Sequence, residues 1–336
     1  MMDARVQALR HWASVILGLE EAVQDWQVVA GDASTRRYFR LAGAGQSWIC
    51  VDAPPATEKN AEFLHAREIL AEAGILVPEL LGVSAEQGFL LLGDLGEQLL
   101  LPLLYPETVG AYYAEALETL YSIQQIQLDS GALPAYSAET LREELQRFPQ
   151  WFCGALLGLD ATGSCAGMLR QFEERLIESA CEQPRVFVHR DFHSRNLMPQ
   201  ADGRLGVIDF QDAVVGPVCY DLVSLLRDCY IDWPQARVEQ LALDYYEIAR
   251  ANNLVDVEAA LFMHWFNLMG TQRHLKAIGI FSRLYIRDGK PGYLQDIPRT
   301  LEYVRQVSAD EMSLAGLFAI IEKHGLKSRI AEILTS

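Results

Sequence analysis

The stretch from Val186 to Phe210 constrains this chain more than any other, because short apolar segments alternate there with polar runs. Val186–Val188 is predicted to be a buried strand, and a polar loop follows it. Two further apolar segments, Leu197-Met198 and Leu205–Ile208, flank a sequence with Pro, Asp and Gly that is typical of a turn. The stretch therefore predicts a strand, a polar loop and a β-hairpin in succession.

This hairpin is predicted to gather polar side chains at its open end. With Met198 roughly opposite Leu205, the pairing brings Asn196 back to Asp209, and the preceding loop adds Asp191. Mg²⁺ prefers oxygen ligands and is usually held by one or two protein oxygens together with substrate phosphates. Asn196 and Asp209 offer such oxygens, which leaves Asp191 to accept a proton from a hydroxyl. The combination predicts a phosphoryl-transfer site.

The composition argues against several other classes of protein. Among 336 residues, 28 are basic and 45 acidic, and the resulting net charge of −17 does not suit a nucleic-acid surface. The six cysteines include no Cys-x-x-Cys pair, and no apolar run approaches the length that spans a membrane. We therefore expect a cytoplasmic enzyme with small-molecule partners, without nucleic-acid or membrane partners. The sequence leaves the oligomeric state open.

Hydrophobic periodicity predicts a small sheet near the N-terminus and helices thereafter. The first hundred residues alternate helical and strand patterns, whereas the later segments, apart from the strand and hairpin over 186–208, mostly have helical spacing. The predicted strands are Gln27–Ala30, Tyr38–Ala42, Trp48–Val51 and two more within 77–96, and the predicted helices are 4–18, 58–73, 107–127, 138–152 and 165–180.

The polar loop carries a specific resemblance. His189-Arg190-Asp191, followed by Asn196, resembles the catalytic loop of the kinase superfamily, with Ile208-Asp209-Phe210 where protein kinases have Asp-Phe-Gly. The short spacing to Gly216-Pro217 and Tyr220-Asp221-Leu222 resembles the aminoglycoside phosphotransferase-like branch, which lacks a long activation segment. The resemblance implies an α+β, two-lobed protein-kinase-like fold with a small antiparallel-sheet N-lobe and a mainly helical C-lobe.

The same resemblance implies lobe limits and a nucleotide site. The nucleotide-binding lobe would cover 1–92, the hinge 93–98, and the helical lobe, with the catalytic loop and substrate site, 99–336. Asp94 and Leu95 lie in this hinge, where the family pairs backbone groups with adenine.

A turn between the first two predicted strands lies where kinases cover the ATP phosphates. A simple hairpin turn has a similar composition, so that alternative stays open. The phosphate-binding candidates in this turn are Ser34, Thr35, Arg36 and Arg37.

The third predicted strand departs from the kinase pattern. Kinases carry there a basic residue that binds the α- and β-phosphates, but residues 48–52 contain none. Lys59, Arg36 or Arg37 would have to supply that charge from another direction. Glu68, on the next helix, is the candidate for the glutamate that pairs with the missing lysine.

Two supporting residues are assigned around the catalytic loop. The resemblance implies that Asp221 bonds the loop backbone from a helix. His189 and His193 are four residues apart, a spacing that also suits zinc, but the glutamate of a His-Glu-x-x-His motif is absent. We therefore expect His189 to stabilise the loop by packing and hydrogen bonding.

The segments "GDASTRRYFR", "DAPP" and "DFQDAVVGPVCYDLVSLLRD" closely resemble the bacterial anomeric amino-sugar kinases. These enzymes use ATP and Mg²⁺ to phosphorylate the C1 hydroxyl of N-acetylmuramate and N-acetylglucosamine in cell-wall recycling. The resemblance covers almost the whole chain and implies the same activity here. Arg273 and Lys276 are candidates to meet the lactyl carboxylate of the acidic sugar, although a solvated basic face has the same pattern.

Two other functions stay open at this point. An aminoglycoside or aminoalcohol kinase of the same branch would need carboxylates near its cationic substrate, and Asp212, a candidate substrate residue, and Asp228 offer some. The missing strand lysine motivates a pseudokinase that acts as a binding module. The intact set of Asp191, Asn196 and Asp209 favours an enzyme over this alternative.

Overall fold

The computed structural model describes residues 3–20, 25–29, 36–43, 45–159 and 164–335. In these ranges the strands are β1 Asp25–Val29, β2 Arg37–Gly43, β3 Gln46–Asp52, β4 Leu80–Ser84, β5 Phe89–Gly93, β6 Arg185–Val188, β7 Leu197–Pro199, β8 Leu205–Val207 and β9 Val214–Pro217. The α-helices are α1 Ala4–Leu17, α2 Asn60–Glu72, α3 Val109–Gln124, α4 Ala138–Leu145, α5 Ser164–Glu182, α6 Cys219–Leu226, α7 Gln235–Ala251, α8 Ala259–Asp288, α9 Ile297–Asp310, α10 Ala315–Lys323 and α11 Leu326–Thr335.

The chain divides into two compact units. The first comprises Met1–Pro102 and Arg195–Ala213, and the second comprises Leu103–Ser194 and Val214–Ser336. The first unit contains the five-stranded sheet, and the second is mostly helical. The predicted α+β fold class is therefore confirmed. The predicted lobe limits of 1–92, 93–98 and 99–336 stay a prediction.

The sheet of the first unit is antiparallel, with strand order β1-β2-β3-β5-β4. The predicted strands are confirmed with small shifts at their ends. Alternation along β2 and β3 turns Phe39, Leu41 and Cys50 to one face, where they pack on Leu9 of α1. Helix α1 begins where the carboxylate of Asp3 accepts a hydrogen bond from the backbone N–H of Val6.

The second unit is organised around α8, the longest helix that the structure describes, which is 30 residues long. A close approach at Gly279 joins it to the segment after α4. A Cβ atom at Gly279 would lie 2.5 Å from the carbonyl carbon of Arg147, so glycine is required there.

The helix predicted over 138–152 is interrupted. Helix α4 ends at Leu145, and a separate π-helical stretch runs over Phe148–Leu156. Pro149 explains the break, because it has no N–H to continue the α-helical hydrogen bonds. The helices predicted over 107–127 and 165–180 are confirmed as α3 and α5.

Within the described ranges, no helix is both long enough and apolar enough to cross a membrane.

Candidate active site

In the first unit, a hairpin brings the two predicted metal ligands together. Strands β7 and β8 pair antiparallel, with Asn196 just before β7 and Asp209 two residues after β8. The amide Nδ2 of Asn196 lies 3.4 Å from Oδ2 of Asp209, and the N–H of Ile208 donates to the carbonyl of Asn196 at 3.1 Å. The predicted proximity of Asn196 and Asp209 is therefore confirmed.

The register of this hairpin differs from the prediction by one residue. Met198 pairs with Gly206 rather than with Leu205. Leu205 instead pairs with Pro199, the last residue of β7 before the turn. The turn closes with the N–H of Gln200 donating to the carbonyl of Arg204, and Gly203 adopts a φ of 90° that favours glycine.

The pair Asn196 and Asp209 has the chemistry of a hard-cation site. Gln211 donates from Nε2 to Oδ1 of Asp209 at 2.8 Å, which fixes the carboxylate. Asp209 itself adopts a left-handed backbone with a φ of 68°, an uncommon conformation for a residue other than glycine. The amide oxygen of Asn196 and the carboxylate oxygens of Asp209 are the ligand types that Mg²⁺ takes. The residues therefore fit this ion.

Arg36 lies beside this metal-ligand pair. Its side chain is 3% exposed, donates from Nη1 to Oε1 of Gln211 and from Nη2 to Oδ1 of Asn60, both at 3.3 Å, and lies 5.1 Å above the ring of Phe63. Through Gln211, Arg36 is linked to the carboxylate of Asp209. This contact makes Arg36 the nearest match to the missing strand lysine among the three candidates.

Arg36 also pairs with a carboxylate, since its Nε lies 3.5 Å from Oε2 of Glu58. Within the described ranges, the other two basic candidates form no hydrogen bond with Gln211. Arg37 donates from Nε to Oδ2 of Asp52 at 3.0 Å and also pairs with Asp3. Nζ of Lys59 lies 2.6 Å from Oδ1 of Asp212, with 59% of the lysine side chain exposed. This contact also links Asp212, a predicted substrate residue, to Lys59.

The remaining predicted nucleotide residues have structural contacts or lie outside the described residues. Arg40 forms a two-pronged ion pair with Asp94, at 2.6 and 3.1 Å, and these bonds outweigh burial and lower the pKa of Asp94. The carbonyl of Leu95 accepts from Nε2 of Gln200 at 3.0 Å. Glu68 is exposed on α2. Ser34 and Thr35 lie outside the described residues.

Tyr38 is a residue of this region that sequence reasoning missed. Burial, together with the negative charge of Asp209, raises the pKa of Tyr38 to about 12, so its hydroxyl stays protonated. No pattern in the sequence indicated that Tyr38, on β2 next to Arg36, would lie near Asp209.

In the second unit, a buried carboxylate holds the predicted catalytic loop. Asp221 accepts hydrogen bonds from the backbone N–H of His189 at 2.6 Å and of Arg190 at 3.0 Å. Arg190 has a φ of 76°, a strained value for a residue with a side chain. Burial raises the pKa of Asp221 to about 7, against the effect of the two N–H donors. These contacts support the predicted role of Asp221 in maintaining the loop.

Asp191 follows this strained residue and lies in a positive environment. Burial acts to raise the pKa of Asp191, but the charges of His193, Lys276, Arg273 and His189 outweigh it and lower the pKa. The carboxylate is therefore ionised at neutral pH, which is the form that accepts a proton.

Glu144 was not identified from the sequence and anchors this region from α4. Glu144 is 1% exposed, and its carboxylate pairs with Arg190, with the hydroxyl of Tyr136, and with Nζ of Lys276 at 3.1 Å. Arg190 and Lys276 are far from Glu144 in the chain, so no local pattern indicated these two contacts.

The two histidines of the loop pack on aromatic rings. The ring of His189 lies edge-on to Phe192 at 6.1 Å, and that of His193 lies edge-on to Tyr230 at 5.4 Å. Among the described residues, no three or more of histidine, cysteine, aspartate and glutamate form a group able to hold a metal ion. Nothing in this part of the chain favours the zinc alternative.

A family model described as "Phosphotransferase enzyme family" matches residues 25–254 of this chain. A protein of Pseudomonas putida named "N-acetylmuramate/N-acetylglucosamine kinase" is 42% identical over 334 residues, which cover 95% of this chain and 96% of that protein.

Two solved structures are similar in fold. The ethanolamine kinase of Plasmodium vivax has a TM-score of 0.66 and 11% identity, with 88% of this chain and 86% of that chain covered. An aminoglycoside phosphotransferase crystallised with ADP has a TM-score of 0.60 and 14% identity, with 90% and 98% covered. At these identities the structures show the fold alone.

Proposed function

The chain belongs to the phosphotransferase enzyme family, and on that basis we propose that it is an ATP-dependent kinase of N-acetylmuramate and N-acetylglucosamine that phosphorylates their anomeric hydroxyl. The near-full-length identity of 42% with the Pseudomonas putida kinase named for these two sugars carries this proposal. The residues described above match what such a transfer requires: Asp191 as a proton acceptor, Asn196 and Asp209 as oxygen ligands for a metal ion, and Arg36 as a buried cation beside these two ligands.

Asp191 orients the attacking hydroxyl and accepts its proton. An anomeric hydroxyl is more acidic than an ordinary alcohol, and the transition state of phosphoryl transfer is loose. The reaction therefore needs little base strength, and a carboxylate with a lowered pKa is adequate. The larger contribution of Asp191 is positional. Asp221 supports it by fixing the two backbone N–H groups that precede it in the loop.

Asn196 and Asp209 are proposed to hold Mg²⁺, with Gln211 keeping the carboxylate of Asp209 in place. A bound Mg²⁺ ion neutralises charge on the phosphates of the nucleotide. Arg36 is proposed to bind the α- and β-phosphates in place of the missing strand lysine, because it reaches Gln211 while Arg37 is engaged by Asp52.

The proposed nucleotide site also includes residues of the predicted hinge and of the predicted phosphate-binding turn. The likeness in fold to a phosphotransferase crystallised with ADP supports a nucleotide site. The backbone at Asp94 and Leu95 is proposed to meet the adenine, and Ser34 and Thr35 the phosphates. Lys59 and Glu68 would contribute charge at the edge of the nucleotide site.

Two carboxylates, Asp212 and Asp228, were candidates to bind the cationic substrate of an aminoglycoside or aminoalcohol kinase. Asp228 is fully buried and accepts hydrogen bonds from the backbone N–H groups of Ser194 and Tyr230, at 3.1 and 3.0 Å. Asp212 is paired with Lys59. Neither carboxylate is therefore arranged to receive an ammonium group of an aminoglycoside or aminoalcohol. This observation favours the amino sugars.

ADP release tests the proposal directly. The purified protein is incubated with Mg-ATP and one of four acceptors: N-acetylmuramate, N-acetylglucosamine, glucose or kanamycin. An Asp191→Asn variant is the matched control, since it keeps the size of the side chain and removes its charge. We expect turnover on the two N-acetyl sugars, reduced about 10²- to 10⁴-fold in the variant.

Two other results would contradict the proposed function. Turnover on kanamycin alone would reassign the protein to kinases of cationic substrates. No turnover on any acceptor, with no thermal stabilisation by Mg-ATP, would indicate a binding module without kinase activity.

A further inference from the structure

Arg273 is a buried cation without a carboxylate partner among the described residues. It lies in the middle of α8 and is 6% exposed. In the described part of the chain its only hydrogen bond runs from Nη1 to Sγ of Cys229, at 3.7 Å, and its Nε has no partner. Arginine is rarely buried without an anion, because a desolvated charge is costly unless it is paired.

Lys276, one turn further along α8, is already paired with a carboxylate. Its Nζ lies 3.1 Å from the carboxylate of Glu144, donates to the hydroxyl of Tyr220 at 2.8 Å and lies 5.4 Å from the centre of that ring. Arg190 is likewise held by Glu144. The structure therefore separates the two candidates that the sequence left equal, and Arg273 is the one whose donors have no carboxylate.

Arg273 also lies within electrostatic reach of the proposed catalytic base. Burial acts to lower the pKa of Arg273, but Cys229, Tyr220 and the carboxylate of Asp191 outweigh burial and raise it. In return, the charge of Arg273 helps to lower the pKa of Asp191. The guanidinium is therefore permanently charged, and an anion bound to it would lie near the residue that activates the sugar hydroxyl.

We propose that Arg273 binds the carboxylate of the acidic sugar and so determines how well the enzyme uses N-acetylmuramate relative to N-acetylglucosamine. This inference rests on the proposed function. The two sugars differ by a lactyl ether, which adds one carboxylate to N-acetylmuramate. The planar fork of a guanidinium matches a carboxylate with two parallel hydrogen bonds. N-acetylglucosamine offers no such group and leaves the fork unused.

The test is the ratio of kcat/KM for N-acetylmuramate to that for N-acetylglucosamine, measured in the wild type and in Arg273→Gln. Any change at Asp191 that follows from losing the positive charge affects both sugars and cancels in the ratio. A hydrogen-bonded charge pair contributes enough that we expect the ratio to fall about 10- to 100-fold. Arg273→Lys keeps the positive charge but lacks the planar fork. Its ratio of kcat/KM values should therefore lie between those of the wild type and Arg273→Gln.

Lys276→Gln is the matched control, because it removes one positive charge from the same helix and from the surroundings of Asp191. We expect it to lower the activity on both sugars and to leave their ratio within about twofold. Thermal unfolding of each variant checks that it is folded. If Arg273→Gln does not fold, the same ratio measured in Arg273→Lys decides the question.

The failures of the two proposals are distinguishable. A wild-type protein that phosphorylates neither sugar refutes the proposed function and, with it, the role of Arg273. A wild-type protein that phosphorylates both, with an unchanged ratio in the Arg273 variants, refutes this inference alone. An equal rise of the KM for ATP with both sugars would also contradict it, since it would assign Arg273 to the nucleotide.

Discussion

His274 is expected to make the protein sensitive to acid. Its side chain is fully buried on α8, and its ring stacks on that of Tyr303 with centroids 5.0 Å apart. Nε2 lies 2.9 Å from the carbonyl oxygen of Arg227, which can only accept, so Nε2 carries the proton. Nδ1 has no hydrogen-bond partner among the described residues. A second proton would therefore be buried there without an acceptor.

The size of the effect follows from the pKa. Burial, together with the charges of Arg273 and Arg227, lowers the pKa of His274 from 6.5 to about 3. Because the unfolded chain binds the proton first, this contribution to stability is complete above pH 6.5 and is lost as the pH falls towards 3. The free energy of unfolding changes by about 1.4 kcal/mol per pH unit in this range. Protonation of His274 in the unfolded chain therefore lowers it by about 2 kcal/mol at pH 5. By pH 3 the loss reaches about 4 to 5 kcal/mol.

Urea unfolding at pH 7 and pH 5 measures this contribution. The wild type should lose about 2 kcal/mol more of its unfolding free energy between the two pH values than His274→Gln does. Glutamine keeps an N–H for the carbonyl of Arg227 and does not titrate. Replacement of His11, which is exposed on α1, by glutamine controls for the loss of a histidine as such. Equal losses in the wild type and His274→Gln would refute the reasoning.

Two further substitutions test the packing within the second unit. Glu144→Gln leaves Arg190 and Lys276 buried without their shared carboxylate, so we expect the free energy of unfolding to fall by about 3 to 5 kcal/mol in urea titrations; a loss below 1 kcal/mol would contradict the pairing. Gly279→Ala forces a Cβ against the backbone of Arg147 and should cost about 1 to 3 kcal/mol. The control Gly110→Ala, in α3 with open space around its Cβ position, should leave the melting temperature unchanged or raise it.

Local patterns in the sequence were sufficient for the sheet, for helices α1, α2, α3 and α5, and for the hairpin. Strands β2 and β3 are short segments with clear turn residues at their ends, and the β7–β8 hairpin closes over a turn that contains glycine. Errors arose where one residue changes the backbone. Pro149 ends α4 early, and the turn closed by the hydrogen bond from Gln200 to Arg204, with Gly203 at positive φ, places the hairpin register one residue away from the predicted one.

Only part of the candidate site could be predicted from the sequence, because many of its contacts join residues that are far apart in the chain. The spacing within the loop indicated Asp191, Asn196 and Asp209. The contact of Arg36 with Gln211 joins residues 175 positions apart, and that of Arg190 with Glu144 joins residues 46 apart. Such pairs depend on how helices and strands pack. The sequence could therefore name Arg36, Arg37 and Lys59 as equal candidates but not choose among them.

The position of the phosphate on the product tests the central claim most directly. The wild-type protein is incubated with Mg-ATP and N-acetylglucosamine, and the product is examined by phosphorus–proton correlation NMR. We expect a phosphate coupled to the anomeric proton, with loss of the reducing end, and formation of this product about 10²- to 10⁴-fold more slowly by Asp191→Asn. A phosphate coupled to the C6 protons, or the same product formed at the wild-type rate by Asp191→Asn, would contradict it.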